Sequence, residues 1–105
     1  PARKYGPNMS ALGCTGGAVE NLSRFLAAEI APRRVNVIAP GTIDTGMWDA
    51  LPAERREAMY ESAGSSVPMG RVGSSQEVAS SIIHVMTNTY ITGATIDVNG
   101  GQFLG

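Results

Sequence analysis

The feature that most constrains the fold is an amphipathic helix followed at once by a short, uniformly apolar run. Over residues 18–31, a helical spacing of about 100° per residue places six apolar side chains on one side: Ala18, Val19, Leu22, Phe25, Leu26 and Ile30. Pro32 ends this helix, and "VNVIA" follows at 35–39 without a clean polar alternation. Such a run is typical of a strand covered on both faces of a parallel sheet. The order of helix, tight turn and apolar strand predicts an α/β fold.

The segment after this strand is predicted to be a loop that leads into a short surface helix. "PGTIDTGMW" at 40–48 lies at the carboxyl end of the strand, where open α/β sheets bind their ligands. The helix is predicted over 52–63, with Pro52 in its first position and Gly64 as its C-terminal cap.

A third helix and a second strand complete the predicted order. Ser74 and Glu77 have the spacing of a capping box at the start of a helix over 75–87. The predicted buried face of that helix comprises Val78, Ala79, Ile82, Val85 and Met86. "ATIDV" at 94–98 is then the second short strand, predicted to run parallel to the first.

Composition excludes several classes of function. The chain of 105 residues carries 8 basic and 9 acidic side chains, so it has no electrostatic footprint for nucleic acid or an anionic membrane. It contains no apolar run of the roughly 18 residues that a membrane span needs, and we expect a cytoplasmic location. One cysteine, Cys14, and one histidine, His84, without partners at ligand spacing predict no disulfide and no metal site.

Three stretches in sequence carry a family resemblance. "AVENLSRFLAAEIAPRRVNVIAPGTIDTGMW", "PMGRVGSSQEVASSI" and "YITGATIDVNGG" resemble the C-terminal half of the short-chain dehydrogenase/reductase family, from about residue 10 to residue 101. The resemblance implies the C-terminal part of a Rossmann-type doubly wound parallel sheet. Residues 1–105 would then form a partial domain, without the N-terminal half that binds most of the dinucleotide.

The long helix departs from the family at its catalytic positions. The family carries Tyr-x-x-x-Lys there, because residues i and i+4 lie on the same helix face. Aligning "GGAVENL" puts the tyrosine position at Leu12 and the lysine position at Gly16, and neither side chain can transfer a proton. We therefore predict no catalytic residue in this chain.

Neighbouring polar residues are poor substitutes for the missing pair. Tyr5 lies seven residues before Leu12, and the intervening "GPN" is typical of a turn. Lys4, Ser10 and Cys14 are no better placed by their spacing. Either the usual chemistry has been lost, or the catalytic residues come from elsewhere.

The resemblance implies NAD or NADP as cofactor and assigns a binding loop. The positions that would meet the nicotinamide carboxamide are Pro40, Gly41, Ile43 and Thr45, although Pro-Gly is also common in ordinary turns. Those that would shape the substrate pocket are Met47, Trp48 and Leu51, with Met59 nearby, and core or interface packing is an equal alternative.

Two functions follow from these expectations. In the first, the chain is part of an NAD(P)-dependent oxidoreductase that acts on a carbonyl or alcohol substrate, and is inactive alone. In the second, it is a non-catalytic binding or assembly module on the same fold. A two-strand fragment leaves a bare strand edge and an uncovered apolar helix face. We therefore expect a homo-oligomer or association with the absent N-terminal half.

Overall fold

The computed structural model describes Arg3 and residues 5–104. Within them, the chain forms α1 (Ser10–Glu29), β1 (Val37–Pro40), β2 (Ile43–Asp44), α2 (Ala53–Ser65), β3 (Gly73–Ser74), α3 (Ser75–Thr87) and β4 (Thr95–Val98). β1 pairs with β4, and β2 pairs with β3. None of the helices in this part of the chain is long and apolar enough to cross a membrane.

The chain divides into two compact units. The first comprises the residues up to Val37 together with His84–Ile96. The second comprises Ile38–Ile83 and the residues from Asp97 onward.

The predicted pairing of the two apolar strands is confirmed. In the first unit, the Val37 amide donates to the Ala94 carbonyl at 2.9 Å, and in the second the Gly41 amide donates to the Val98 carbonyl at 3.0 Å. Partner numbers rise together along both strands, as they do in a parallel pair. The prediction that the first strand is covered on both faces is wrong for this chain, because three residues of β1 are half-buried and Pro40 is exposed.

In the first unit, α1 buries the side that the sequence pattern did not select. Ser23 and Ala27 are the buried residues of this helix. Of the six apolar residues that the sequence places on one side of this helix, Leu26 is half-buried and the other five are exposed, as expected for an apolar face that this chain does not cover. The small side chains allow a close approach: the Ala27 Cβ lies 3.7 Å from where a Cβ would stand on Gly93. This packing has a steric cause, since small residues and not bulky ones face the neighbouring chain.

Arg34 fixes the end of α3 within the first unit. Its guanidinium donates to the carbonyls of Val85 at 2.8 Å, Met86 at 2.9 Å and Ile91 at 2.9 Å. The Asn36 side-chain amide also donates to the Ile91 carbonyl, at 2.9 Å. A cation on the last carbonyls of a helix satisfies acceptors that have no partner inside the helix and complements the helix dipole.

The bounds of α3 agree with the prediction, but its predicted buried face does not. Val85 is buried and Val78 is half-buried, whereas Ala79, Ile82 and Met86 are exposed. Periodicity identifies an apolar face but not whether this chain supplies a partner that covers it.

In the second unit, α2 begins and ends differently from the prediction. Pro52 is the residue before the helix, with extended backbone angles, and not its first helical residue. Gly64 lies inside the helix and is buried, so its predicted role as cap is wrong. A Cβ on Gly64 would stand 2.9 Å from the Arg71 Cα. The glycine is needed because the backbone at Arg71 passes directly against the helix.

Strands β2 and β3 were not predicted, and β2 lies within the predicted loop. They pair in parallel, with Ile43 opposite Gly73 and Asp44 opposite Ser74. The Gly73 amide donates to the Thr42 carbonyl at 3.0 Å. Strands of two residues are too short to show a period of two in the sequence.

The predicted capping box at the start of α3 is confirmed and is reinforced by an ion pair. The Ser74 amide donates to Glu77 Oε2 at 2.9 Å, and the Glu77 amide donates to Ser74 Oγ at 3.3 Å. Arg71 Nη2 lies 2.6 Å from Glu77 Oε1. These hydrogen bonds, first from Arg71 and then from Ser74, lower the pKa of Glu77 from 4.5 to about 2.

The lowered pKa of Glu77 predicts an acid-sensitive contribution to stability. Because the folded-state pKa lies below 4.5, the ionised carboxylate stabilises the fold above pH 4.5, and this contribution is lost as pH falls toward about 2. Glu77→Gln should lower the free energy of unfolding at pH 7 and remove that pH dependence, while keeping an acceptor for the Ser74 amide. Denaturant unfolding between pH 7 and pH 2 measures both effects.

Glu61→Gln is the matched control, since Glu61 is an exposed glutamate of α2. It should leave the acid dependence between these pH values unchanged. Equal losses in the two variants would contradict the assignment.

Candidate functional site

Residues 40–45 are held in place by hydrogen bonds to two other parts of the second unit, and we call them the fastened segment. Along its backbone, the Gly41 amide donates to the Val98 carbonyl at 3.0 Å, and the Thr42 carbonyl accepts from the Gly73 amide at 3.0 Å. The Thr42 amide donates to Gln102 Oε1 at 3.2 Å. What the sequence predicts as a loop is therefore a fixed stretch of backbone.

Gly41 has no room for a side chain. A Cβ there would stand 2.5 Å from Gln102 Oε1 and 2.8 Å from the Asn99 Cα. The second contact is with backbone, which cannot rotate away. The turn that begins at Asn99 is itself closed by glycine, since Gly101 has a φ of 83° and its amide donates to Asn99 Oδ1 at 2.9 Å.

A hydrogen bond between Tyr60 and Asp44 connects α2 to the C-terminal end of the fastened segment. The Tyr60 hydroxyl donates to Asp44 Oδ1 at 2.9 Å. Desolvation is the main cause that raises the pKa of Tyr60, followed by the hydrogen bond to Asp44 and the negative charge of that carboxylate. An ion pair of 3.2 Å between Arg56 and Asp49 makes a second tie from the same helix. Sequence analysis did not find Tyr60, because 16 residues separate it from its partner.

A cavity of about 460 Å³ lies in the second unit beside the fastened segment. One part of its wall is formed by Pro40, Gly41, Thr42, Ile43 and Thr45, and the adjoining part by Met47 and Trp48. The remainder comes from the first two turns of α3, through Ser75, Val78, Ala79 and Ile82. Its volume is within the range of about 300 to 1,000 Å³ that is usual for small-molecule sites.

The cavity brings together most of the residues that the sequence selected. All four positions predicted to meet the nicotinamide carboxamide line it, and so do Met47 and Trp48. Leu51 and Met59 do not: the Leu51 amide closes a turn onto the Trp48 carbonyl at 3.0 Å, and Met59 is half-buried in α2. Sequence analysis missed the contribution of α3, whose apolar side it assigned to a closed core.

The positions aligned with the family's catalytic pair lie on α1, in the first unit. Leu12 is 54% exposed and Gly16 is half-buried. Tyr5 is 93% exposed, and Cys14 is also exposed. Lys4 lies outside the described residues. Position 12 therefore presents a hydrocarbon side chain where the family has a phenol.

The described residues contain no group of three or more His, Cys, Asp and Glu side chains that could hold a metal ion. His84 is exposed on α3.

Comparison with known proteins agrees with this architecture. Residues 1–102 match the sequence profile of the family described as enoyl-(acyl carrier protein) reductase. The chain is 39% identical over 90 residues to the 3-oxoacyl-[acyl-carrier-protein] reductase FabG of Pseudomonas aeruginosa, covering 82% of this chain and 35% of the relative. It is 36% identical over 104 residues to the short-chain dehydrogenase/reductase ATR9 of Stachybotrys chlorohalonatus, covering 99% of this chain and 39% of the relative.

Solved structures give the same result. A small-chain dehydrogenase in complex with NADPH superposes with a TM-score of 0.89 at 38% identity, covering 99% of this chain and 48% of that one. The aldohexose dehydrogenase of Thermoplasma acidophilum superposes with a TM-score of 0.85 at 30% identity, covering 99% and 45%. The chain belongs to the short-chain dehydrogenase/reductase family and has its Rossmann-like α/β fold. It spans less than half the length of each of these four proteins.

The absence of a side chain at Gly41 predicts a large difference between two glycine substitutions. Gly41→Ala should destabilise the fold by about 1 to 3 kcal/mol, because the new Cβ meets the backbone of Asn99. Gly17→Ala is the control, since nothing lies within 4 Å of a Cβ on that helical glycine. It should stabilise by about 0.5 to 1 kcal/mol. Denaturant unfolding of both variants tests this, and a neutral Gly41→Ala would contradict it.

Proposed function

We propose that this chain forms the nicotinamide-facing and substrate-facing part of an NAD(P)-dependent oxidoreductase. The reaction is hydride transfer between the nicotinamide ring, which supplies or accepts the hydride, and a carbonyl or alcohol substrate. The observation that carries the proposal is the shared cavity: Pro40, Gly41, Ile43 and Thr45 line the same space as Met47 and Trp48. The surface proposed to bind the nicotinamide and the surface proposed to bind the substrate are thus adjacent.

The residues of the fastened segment fit a carboxamide. An amide needs both an acceptor and a donor, and the Thr45 hydroxyl can act as either. Thr45 is exposed. Main-chain groups at Ile43 and Pro40 are the further candidates for hydrogen bonding. These residues bind and orient the ring, while the chain itself supplies no charge to this wall.

The names of the relatives support a reductase. FabG is a 3-oxoacyl-[acyl-carrier-protein] reductase, and the small-chain dehydrogenase was solved with NADPH. For this protein, both NAD and NADP stay within the proposal. The cytoplasmic location predicted from the sequence stays a prediction.

The chain alone is proposed to be inactive. Leu12 and Gly16 cannot exchange a proton or hold a ribose hydroxyl. Tyr60 is no replacement, since its hydroxyl is already engaged by Asp44 and the raised pKa makes it a weaker acid. Proton transfer therefore requires a group that the described residues do not place at the cavity.

The residues at positions 12 and 16, Leu12 and Gly16, also favour a second candidate function. A protein that keeps the cavity but lacks the proton donor could serve as a non-catalytic binding or assembly module. Nicotinamide coenzyme binding without hydride transfer, in any longer protein that contains this chain, would decide for the module.

We propose that a partner polypeptide covers the exposed apolar side of α1. Four of its apolar side chains are more than half exposed, at Leu12, Val19, Leu22 and Phe25. An apolar stripe of this size on a helix is typical of a surface that another polypeptide covers. The partner is either a second copy of this chain or the remainder of a longer protein.

The first test of the proposed function is a titration of the chain with nicotinamide mononucleotide, in which backbone amide NMR shifts report binding. We expect shifts concentrated at the amides of residues 41–48, and no consumption of NADH or NADPH with a panel of carbonyl compounds. Thr45→Val should weaken binding about threefold to tenfold, the effect of one hydrogen bond. Thr15→Val is the control, since Thr15 bonds only within α1. Shifts elsewhere, or turnover by the chain alone, would contradict the proposal.

The second test concerns the exposed stripe of α1. Leu22→Glu should reduce self-association of the chain, because a charge on the stripe must be desolvated when the surface is covered. Asn21→Glu adds the same charge to a neighbouring exposed position and should leave association unchanged. Sedimentation velocity over a range of concentrations measures both. A chain that is monomeric throughout would exclude the second copy and leave the longer protein as the partner.

A further inference from the structure

The turn at residues 45–48 is closed mainly by bonds within its own part of the chain. The Gly46 amide donates to Asp44 Oδ1 at 3.4 Å, and the Asp49 amide donates to the Gly46 carbonyl at 3.0 Å. In the described part of the chain, every hydrogen bond of residues 45–48 has its partner within 44–51. Among those residues, these bonds shape the turn but connect it to no helix, and to β2 only through Asp44.

The side chains that flank this turn are held by one face of α2. The Tyr60 hydroxyl donates to Asp44 Oδ1 at 2.9 Å, on the N-terminal side of the turn. On its C-terminal side, Arg56 Nη1 donates to Asp49 Oδ1 at 3.2 Å. Arg56 and Tyr60 are four residues apart, so they lie one above the other on the helix. A single helix face therefore holds the residues on both sides of the turn.

Of the two connections from α2, the one from Tyr60 is the more specific. The Asp49 side chain is 69% exposed, and exposed ion pairs contribute little because water and salt screen them. The phenol of Tyr60 is rigid, with only two side-chain torsions. Its acceptor, Asp44 Oδ1, is also the atom that receives the Gly46 amide. One carboxylate oxygen thus joins the helix to the turn.

We propose that Tyr60 is a positioning residue of the cofactor site, which acts on Thr45 without touching the ligand. Its hydroxyl holds the Asp44 carboxylate in the orientation that accepts from the Gly46 amide. Thr45 lies between these two residues, so the direction of its hydroxyl depends on both. Thr45 lines the 460 Å³ cavity and Tyr60 does not. The inference rests on the proposed function for its ligand, whereas the positioning of the turn rests on the hydrogen bonds alone.

Tyr60→Phe removes the hydroxyl and keeps the ring, so it tests the positioning role directly. In the 105-residue chain, we expect about twofold to tenfold weaker binding of nicotinamide mononucleotide, the effect of one hydrogen bond. We also expect lower heteronuclear NOE values for the amides at 45–48. Tyr90→Phe is the matched control, since Tyr90 is 98% exposed and belongs to the first unit. Unchanged affinity in Tyr60→Phe, or equal losses in the two variants, overturns the inference.

A double-mutant cycle distinguishes positioning from a general loss of stability. If Tyr60 acts through the Thr45 hydroxyl, Tyr60→Phe should weaken binding much less when Thr45→Val has already removed that hydroxyl. A loss that is only structural would be the same in both backgrounds. Equal losses would therefore overturn the inference.

Two substitutions of Asp44 provide a test by conservative replacement. Asp44→Asn keeps an oxygen that can accept from Tyr60 and from the Gly46 amide, whereas Asp44→Ala removes it. Both variants lose the same charge, so they differ in the acceptor. We expect Asp44→Asn to bind nicotinamide mononucleotide more tightly than Asp44→Ala, and Asp44→Ala to be at least as weak as Tyr60→Phe. Equal affinities of the two Asp44 variants would contradict the role of this acceptor.

The outcomes separate this inference from the proposed function. If nicotinamide mononucleotide shifts the amides at 41–48 but binds equally well to Tyr60→Phe, the proposed function stands and the positioning role is wrong. If it shifts none of them even in the unaltered chain, the proposed function fails. Lower NOE values at 45–48 in Tyr60→Phe would then still support the positioning of the turn, and unchanged values would overturn it.

Discussion

The second unit depends on how closely two turns of backbone approach each other at Gly41. The turn that begins at Asn99 stands where a side chain on residue 41 would be. That approach allows Gln102 to accept from the Thr42 amide, next to the hydrogen bond from Gly41 to the end of β4. A displaced turn would lose these bonds together, and the wall of the cavity with them. The fold and the candidate site therefore share one steric requirement.

Much of this architecture could be predicted from local signals. The Ser74 and Glu77 capping box gave the start of α3, and the apolar runs gave β1 and β4 within two residues. Sequence reasoning failed where the cause lies far away in the chain. The β2–β3 pair and the contact of Tyr60 with Asp44 have no local pattern. Gly64 was misassigned because a glycine near a helix end serves equally as a cap or as a point of close approach.

The apolar side of α1 shows what an amphipathic pattern measures. The apolar stripe with Leu22 and Phe25 is exposed, while Ser23 and Ala27 are buried. Small side chains let the helix axis approach the chain at Gly93, and bulky ones would hold it away. The exposed stripe is therefore the surface for which a partner is proposed. Nothing in the structure explains the glycine at Gly17, which has open space beside it.

The candidate cofactor-binding residues differ in whether the fold alone requires their side chains. Gly41 is fixed by the Asn99 turn, and Thr42 engages through its backbone, so the fold alone accounts for this part of the segment. Thr45 is different: it is exposed, lines the cavity, and its hydroxyl makes no hydrogen bond among the described residues. The fold needs no hydroxyl there, whereas a carboxamide does. The proposed nicotinamide contact therefore depends more on Thr45 than on the Pro-Gly pair, and the proposed inactivity of this chain depends on Leu12.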